Sequence, residues 1–219
     1  MRFNRNDLGY DRIATFDIET THWDASQGEV VSIGLAVHER GTPLSNAEYK
    51  LLHRKPALDE AALIREAYTW LDEIDAGYLV SFNGRDFDFP FCDERLEHLG
   101  ASIDHPKLHT PQSHLDLLHD DRKALANQRG EKWPSLEEVL VAYGESPEPL
   151  MWKGEPLDNT RFGKELGPAL LNSVANNDQV TAEKLMTTVE EYLRDDLKKN
   201  LRMYYYDIGE LEPPVPAND

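Results

Sequence analysis

The sequence has very little cysteine and no long apolar run. A single cysteine, Cys92, among 219 residues excludes an internal disulfide framework and is typical of a reducing compartment. No apolar run approaches the roughly 20 residues that a membrane helix needs. The polar N-terminal segment MRFNRNDLGYDR lacks the apolar stretch of a secretory signal. We therefore expect a cytoplasmic protein that has no membrane partner.

Basic residues are also scarce. The chain has 23 Lys and Arg against 41 Asp and Glu, so its formal net charge is −18. Phosphate binding normally uses Lys and Arg, and this composition argues against tight, non-specific DNA binding. The acidic excess lies outside residues 122–164, where basic and acidic residues balance. Some of the remaining acids can hold metal ions, which change the local sign of the charge.

Length and patterning indicate one ordinary domain without internal repeats. Short apolar runs rich in β-branched and aromatic residues predict four strands, at residues 12–18, 29–37, 47–53 and 77–82. Helical spacing predicts helices at residues 58–74, 87–99, 114–126 and 135–143, and a long one from about 168 to 205. The order predicts an α/β (α+β) domain with a mixed central sheet flanked by helices. We assign residues 1–11 to an N-terminal extension, 12–206 to the domain and 207–219 to a disordered tail.

Two carboxylates end the first predicted strand. Asp17 and Glu19 flank Ile18, and residues i and i+2 of a strand face the same way, so both would project together. Neighbouring carboxylates repel, and their desolvation is costly unless cations neutralise them. Oxygen ligands on a rigid strand suit Mg²⁺ or Mn²⁺. On its own, the pair is more typical of a strand end with two solvated acids.

Two later segments each add an aspartate. The segment at residues 81–91, SFNGRDFDFPF, has an Asn-Gly turn followed by the start of a helix. Asp86 fits a helix cap there, whereas Asp88 lies between two phenylalanines that would anchor it while its carboxylate points into a cleft. Asp178 lies within the predicted long helix, in the segment NDQVTA. An aspartate in that setting is usually a surface residue.

Taken in order, FDIETT, FNGRDFDFPF and NDQVTAEKL resemble the motifs of the DEDD-type 3′→5′ exonucleases of the RNase H-like superfamily. The chain is most similar to predicted 3′→5′ exonucleases related to the proofreading domain of family-B DNA polymerases. The segments HLDLL and SLEEVLVAYG also resemble helices of that group, so the resemblance covers roughly residues 13–187. It implies an RNase H-like fold for the domain, and the predicted order of strands and helices agrees.

The resemblance also implies two-metal hydrolysis of phosphodiester bonds at the 3′ end of single-stranded DNA or RNA. Asp17 would bridge two divalent cations, Mg²⁺ or Mn²⁺, while Glu19 and Asp178 would complete one site and Asp88 would support the other. One cation would sharpen water into hydroxide, and the other would stabilise the leaving oxygen. Three nearby residues are the expected substrate contacts: Thr20, Asn83 and Phe87.

The family pattern fails at one position. The group has a Tyr four residues before the last Asp, or a His five residues before it, to orient the attacking water. Val174 and Ser173 occupy these positions relative to Asp178, and neither replaces the missing group. Loss of one positioned acid–base group costs about 10²–10⁴ in rate. The alternative function is therefore a catalytically impaired RNase H-like module that binds nucleic acid.

A second match to the last motif exists further along the chain. Tyr192 and Asp196 have the Tyr-to-Asp spacing, but Asp196 lies about 27 Å beyond Asp178 at about 1.5 Å per helical residue. Only one of these aspartates can serve the site. We favour Asp178, because NDQVTAEKL resembles the family beyond one residue pair and because Tyr192 fits an apolar stripe on its helix.

Two further features are open to two interpretations. The apolar stripe of residues 180–205 allows self-association or a protein partner, although packing on the sheet is the simpler account. Trp133, Trp152 and Phe162 are interleaved with basic residues. These aromatic residues either stack on bases and so contact nucleic acid, or hold their loops against the core.

Overall fold

A five-stranded mixed sheet forms the centre of the computed structural model, which describes residues 1–212. Its strands are β1 (Arg12–Thr20), β2 (Val30–Glu39), β3 (Glu48–His53), β4 (Tyr78–Ser81) and β5 (His114–Asp116). They hydrogen-bond in the order β3-β2-β1-β4-β5, with β1 antiparallel to β2 and parallel to β4, and β4 parallel to β5. The C-terminal ends of β1, β4 and β5 therefore share one edge of the sheet.

The fifth strand corrects the sequence prediction. Residues 114–126 were expected to be one helix, but His114–Asp116 pair with β4. A π-helical turn, Leu118–Arg122, then leads into α3 (Lys123–Arg129). A three-residue strand is too short to show a period of two, and only its neighbour in the sheet stabilises it. The other four predicted strands are present with small shifts of their ends.

The remaining helices are α1 (Glu60–Glu73), α2 (Phe89–His98), α4 (Leu136–Ala142), α5 (Asn159–Arg161), α6 (Gly167–Ala175) and α7 (Gln179–Asp207). A short hairpin, β6 (Met151–Trp152) and β7 (Glu155–Pro156), precedes α5. Helix α4 begins with a capping box in which the side chains of Ser135 and Glu138 each accept a backbone N–H from the other residue. That feature was predicted and is confirmed.

The predicted long helix is two helices. Helix α6 ends at Ala175, and Asn177 then adopts a left-handed conformation with φ +56°. Asp178 is the N-cap of α7, where its side chain accepts a hydrogen bond from the backbone N–H of Thr181 at 3.1 Å. The break allows α7 to take a direction of its own, which a continuous helix from residue 168 would not have.

Helices cover both faces of the sheet. Phe16 and Ile18 of β1 belong to a core cluster with α1 and α2, whereas Ile13 belongs to a second cluster with α4 and α7. Helix α7 packs closely on β2, because a Cβ atom on Gly34 would lie 3.0 Å from a methyl group of Leu197. Since alternate residues of a strand face opposite sides, Asp17 and Glu19 face α7.

The N-terminal extension packs on the domain. The backbone of Phe3 donates to and accepts from the hydroxyl of Tyr143, and Arg5 pairs with Asp207. Asp207 was assigned to the tail by sequence, but it ends α7 and is fully buried against Arg122. Residues 213–219 lie outside the described residues, and disorder there stays a prediction. None of the helices among the described residues is long and apolar enough to cross a membrane.

Candidate active site

Three carboxylates from two elements meet at the face of the sheet that α7 covers. Asp17 and Glu19 come from β1, and Asp196 comes from α7. Each offers one oxygen, and these oxygens all lie within 4.8 Å of one another. Glu19 is buried, while the other two acids are partly exposed. We call these three residues the acid cluster.

Asp88 lies beside the acid cluster. It ends the π-helical turn Gly84–Asp88 and is only 3% exposed. Its Oδ2 atom is buried and has no hydrogen-bond partner among the described residues. Asp88 raises the pKa of Glu19, and Asp17 raises that of Asp88, so these groups are within electrostatic reach. An unpartnered buried carboxylate oxygen is costly, and a bound cation would offset that cost.

Burial and mutual repulsion disfavour the charged forms of these acids. Burial is the largest cause of the raised pKa of Asp17, Glu19 and Asp88, and neighbouring carboxylates add to it. Burial likewise raises the pKa of Asp196 to about 6, although Lys199 acts in the opposite direction. Clustered oxygen donors that need neutralising fit a hard divalent cation such as Mg²⁺ or Mn²⁺.

A lysine borders the cluster on α7. The ammonium group of Lys199 lies 3.1 Å from Asp196, 2.8 Å from Asp195 and 2.7 Å from Glu137 of α4. This one ammonium group thus pairs with three carboxylates. Asp17 and Glu19 have no basic partner among the ion pairs of residues 1–212.

The turn that carries Asp88 is held by the last residue of β5. The carboxylate of Asp116, which is fully buried, accepts hydrogen bonds from the backbone N–H groups of Asn83, Arg85, Leu118 and His119, each at 2.9 Å. It therefore joins the loop after β4 to the turn after β5. Sequence reasoning missed this residue, although an aspartate within HLDLL was an available signal.

The close turn before Asp88 requires its glycine. A Cβ atom on Gly84 would lie 2.4 Å from the hydroxyl oxygen of Ser81, which no ordinary contact allows. Asn83, just before it, has φ +71°, a left-handed conformation that Asn tolerates. The Asn-Gly turn expected from the sequence thus directs Asp88 toward β1.

Tyr192 lies one helical turn before Asp196 on α7. Its ring stacks on Phe162 with centroids 5.7 Å apart, and its hydroxyl donates to the side-chain oxygen of Asn159 at 2.5 Å. Burial raises the pKa of Tyr192, and the charges of Glu19, Asp196 and Asp17 raise it further. The phenol is therefore a neutral hydroxyl close to the acid cluster.

The preference for Asp178 over Asp196 was wrong. Asp178 is exposed at the start of α7, where it caps the helix, and it is not part of the acid cluster. Val174 is a partly buried residue packed in an apolar cluster with α7. Tyr192 and Asp196 have the Tyr-to-Asp spacing of the last motif, and Asp196 is the aspartate that lies with Asp17 and Glu19.

The three expected substrate contacts lie in the segments that carry the acids. Thr20 ends β1 and donates its hydroxyl to the backbone oxygen of His22 at 2.9 Å. Asn83 precedes the turn to Asp88, and Phe87 lies partly buried within that turn. Their contact with substrate stays a prediction. Trp152 and Phe162 are buried and hold their loops to the core, whereas Trp133 is 45% exposed.

The chain is similar to several known proteins. A family model described as "RNase_H superfamily" matches residues 14–141. DNA polymerases of Thermococcus aggregans and Thermococcus litoralis are 27% and 25% identical over 95 residues, which is 42% of this chain but 5% and 6% of those polymerases. The structure of the family B DNA polymerase from the archaeon Pyrobaculum calidifontis superposes with a TM-score of 0.57 at 19% identity, over 89% of this chain and 24% of that chain. The chain thus corresponds to a small part of these polymerases.

Proposed function

This chain belongs to the RNase_H superfamily, whose family model covers more than half of its residues, and we propose that it is a metal-dependent 3′→5′ exonuclease. The predicted RNase H-like fold is confirmed by the mixed five-stranded sheet and by the polymerase structure. The observation that carries the proposal is the meeting of Asp17, Glu19 and Asp196, with Asp88 beside them. The substrate would be the 3′ end of single-stranded DNA or RNA.

The acids would hold two divalent cations, Mg²⁺ or Mn²⁺. Asp17 would be shared, Glu19 and Asp196 would complete one site, and Asp88 would support the second. When bound, such cations supply a hydroxide nucleophile at neutral pH and stabilise the charge of the leaving oxygen. Burial raises the pKa of each acid, and only Asp196 has a basic partner among the ion pairs of residues 1–212, so bound cations would stabilise the charged forms of all four.

Tyr192 would orient the attacking water. Its raised pKa keeps the phenolic proton in place, and that proton is donated to Asn159, so the hydroxyl oxygen would accept a hydrogen bond from the water. The stack on Phe162 and the hydrogen bond to Asn159 hold the ring in one orientation. The impaired, purely binding alternative rested on Val174, and it loses that support once Tyr192 takes the role.

Substrate contacts would come from the shared edge of the sheet. Thr20 ends β1, and Asn83 and Phe87 follow the C-terminal end of β4, so all three lie next to the acids on the same segments. The terminal nucleotide would lie against these residues while its phosphodiester faces the acid cluster. Positioning of this kind accounts for a large part of catalysis in phosphoryl transfer.

The test is release of mononucleotides from single strands labelled at either the 3′ or the 5′ end, with DNA and RNA in parallel. Wild-type protein and Asp17→Asn would be compared with Mn²⁺, Mg²⁺ or EDTA. We expect stepwise, metal-dependent shortening from the 3′ end that yields nucleoside 5′-monophosphates and is absent in the variant. Product at wild-type levels from Asp17→Asn, or none from wild-type protein, would contradict the proposal.

A further inference from the structure

A buried lysine on α7 lies beside the acid cluster. Lys199 follows Asp196 by three residues and Asp195 by four, so its ammonium group reaches both carboxylates on one side of the helix. Only 9% of Lys199 is exposed. A buried ammonium group is costly unless it is paired, and a positive charge also repels the cations that the neighbouring acids would bind. Its place next to the acids therefore needs a reason other than charge alone.

Lys199 is held from outside its own helix. Its ammonium nitrogen lies 2.7 Å from an oxygen of Glu137, which belongs to the first turn of α4. The capping box formed by Ser135 and Glu138 fixes the backbone of that turn. The buried side of α4 packs in one core cluster with the C-terminal part of α7. Glu137 thus gives the ammonium group a fixed position between the two helices.

The ammonium group in turn holds the carboxylate of Asp196. Lys199 donates to Oδ1 of Asp196 at 3.1 Å. The two other members of the acid cluster are fixed by the pairing of β1 with β2, whereas Asp196 comes from a helix. Its side chain can take other staggered rotamers, and without the ammonium group it would be repelled by Glu137 and Asp195. Loss of Lys199 would therefore allow Asp196 to turn away from β1.

We propose that Lys199 is a positioning residue, which orients Asp196 towards Asp17 and Glu19 before a cation binds. This inference rests on the proposed function, because it concerns the cations of that site. Groups that hydrogen-bond a metal ligand set its orientation, and the loss of one typically costs about 10- to 100-fold in metal affinity or activity. A lysine that acted only through its charge would have the opposite effect, because it repels a divalent cation. The direction of the change in affinity therefore separates the two roles.

The experiment measures Mn²⁺ binding to the whole chain without nucleic acid, by the loss of the EPR signal of free Mn²⁺. We expect Lys199→Met to bind Mn²⁺ about tenfold more weakly than wild-type protein. Lys199→Arg should recover most of that loss, because Arg keeps the positive charge and the N–H donors. Lys198→Met is the matched control, since Lys198 is the exposed neighbour on the same helix, and it should bind as wild-type protein does. Unchanged or tighter binding in Lys199→Met would overturn the positioning role.

A second pair of variants leaves Lys199 and all charges in place. Glu137→Asp shortens the partner on α4 by one methylene group. Glu145→Asp does the same to a similar ion pair, which joins the end of α4 to Arg202 of α7 at 2.6 Å. We expect Glu137→Asp to weaken Mn²⁺ binding by about threefold and Glu145→Asp to leave it unchanged. Equal affinities in these two variants would contradict the role of Lys199, even if Lys199→Met does not fold.

The same titration separates this inference from the proposed function. Asp17→Asn identifies the Mn²⁺ bound at the acid cluster, since the chain carries many other acids. Equal Mn²⁺ binding by Asp17→Asn and wild-type protein would overturn both the metal site and the role of Lys199. Binding that Asp17→Asn lacks, together with no shortening of single strands by wild-type protein, would overturn the exonuclease proposal alone.

Discussion

Asp178 and Asp196 lie on one helix, eighteen residues apart, and only Asp196 reaches the acids of β1. Asp178 caps the first turn of α7 and faces solvent, while Asp196 joins Asp17 and Glu19 on the sheet. Five helical turns separate the two residues along the chain. Substitution to Asn replaces one carboxylate oxygen by an amide NH₂ group at either position, so the two variants can be compared directly.

We expect Asp196→Asn to lower nuclease activity by at least about 100-fold, because even the residues that only support metal ligands typically contribute 10–100-fold. Asp178→Asn should leave activity within about twofold, since Asn is as good an N-cap as Asp. Steady-state rates on a labelled single strand, with Mn²⁺ near saturation, give the comparison. The reverse order of effects would restore Asp178 as the fourth acid.

Removal of one hydroxyl tests the assigned role of Tyr192. Tyr192→Phe keeps the stack on Phe162 and should lower kcat by about 10²–10⁴ with little change in KM, because a positioned hydrogen-bonding group is lost. Val174→Tyr, four residues before Asp178, should not raise the rate. Single-turnover rates separate the chemical step from product release. An unchanged rate in Tyr192→Phe would assign the residue a packing role only.

Asp116 should be important for stability and for the placement of Asp88. The two carboxylate oxygens of Asp116 accept hydrogen bonds from four backbone N–H groups, whereas Asn has only one side-chain oxygen that can accept. Asp116→Asn therefore leaves one or more of these N–H groups without an acceptor. Each buried unsatisfied group costs about 1–3 kcal/mol. We expect urea denaturation to show a loss of about 3 kcal/mol. Asp86→Asn, an exposed residue of the same turn paired with Lys123, is the control and should change stability by less than about 1 kcal/mol.

Two histidines should make the fold sensitive to mild acid. The Nδ1 atoms of His109 and His114 lie 2.8 Å apart, and His114 also bonds the hydroxyl of Ser81. Burial lowers the pKa of His109 to about 4 and that of His114 to about 3. Both values lie below the ordinary 6.5, so protons bind the unfolded chain more tightly. The stability that is complete above about pH 6.5 is lost as the pH falls toward 4.

The raised pKa values of the site acids change the unfolding free energy with pH in the opposite direction. The effect of the histidines is therefore measured as the difference between wild-type protein and a histidine variant. We expect His109→Gln to lose about 1 kcal/mol less than wild type between pH 7 and pH 5, after allowing for the partial exposure of His109. Urea denaturation at both pH values measures this. Parallel losses in the two proteins would show that the histidine pair does not govern the acid sensitivity.

Local patterns in the sequence determined much of the architecture. Alternation in β1 placed Asp17 and Glu19 on one face, and the Asn-Gly turn with its following phenylalanines indicated Asp88. The Ser135–Glu138 capping box marked the start of α4. These features depend on neighbours within a few residues, which is the range over which side-chain periodicity and turn chemistry act.

The tertiary structure alone decided which aspartate completes the acid cluster. The left-handed Asn177 separates α6 from α7, and close packing of Leu197 on Gly34 sets the register of α7 on the sheet. That register carries Asp196 to β1 and leaves Asp178 in solvent. A helix offers similar acids at many positions, and the contact that selects one of them joins residues about 160 apart in the chain. The spacing of residues along the sequence does not predict such a contact.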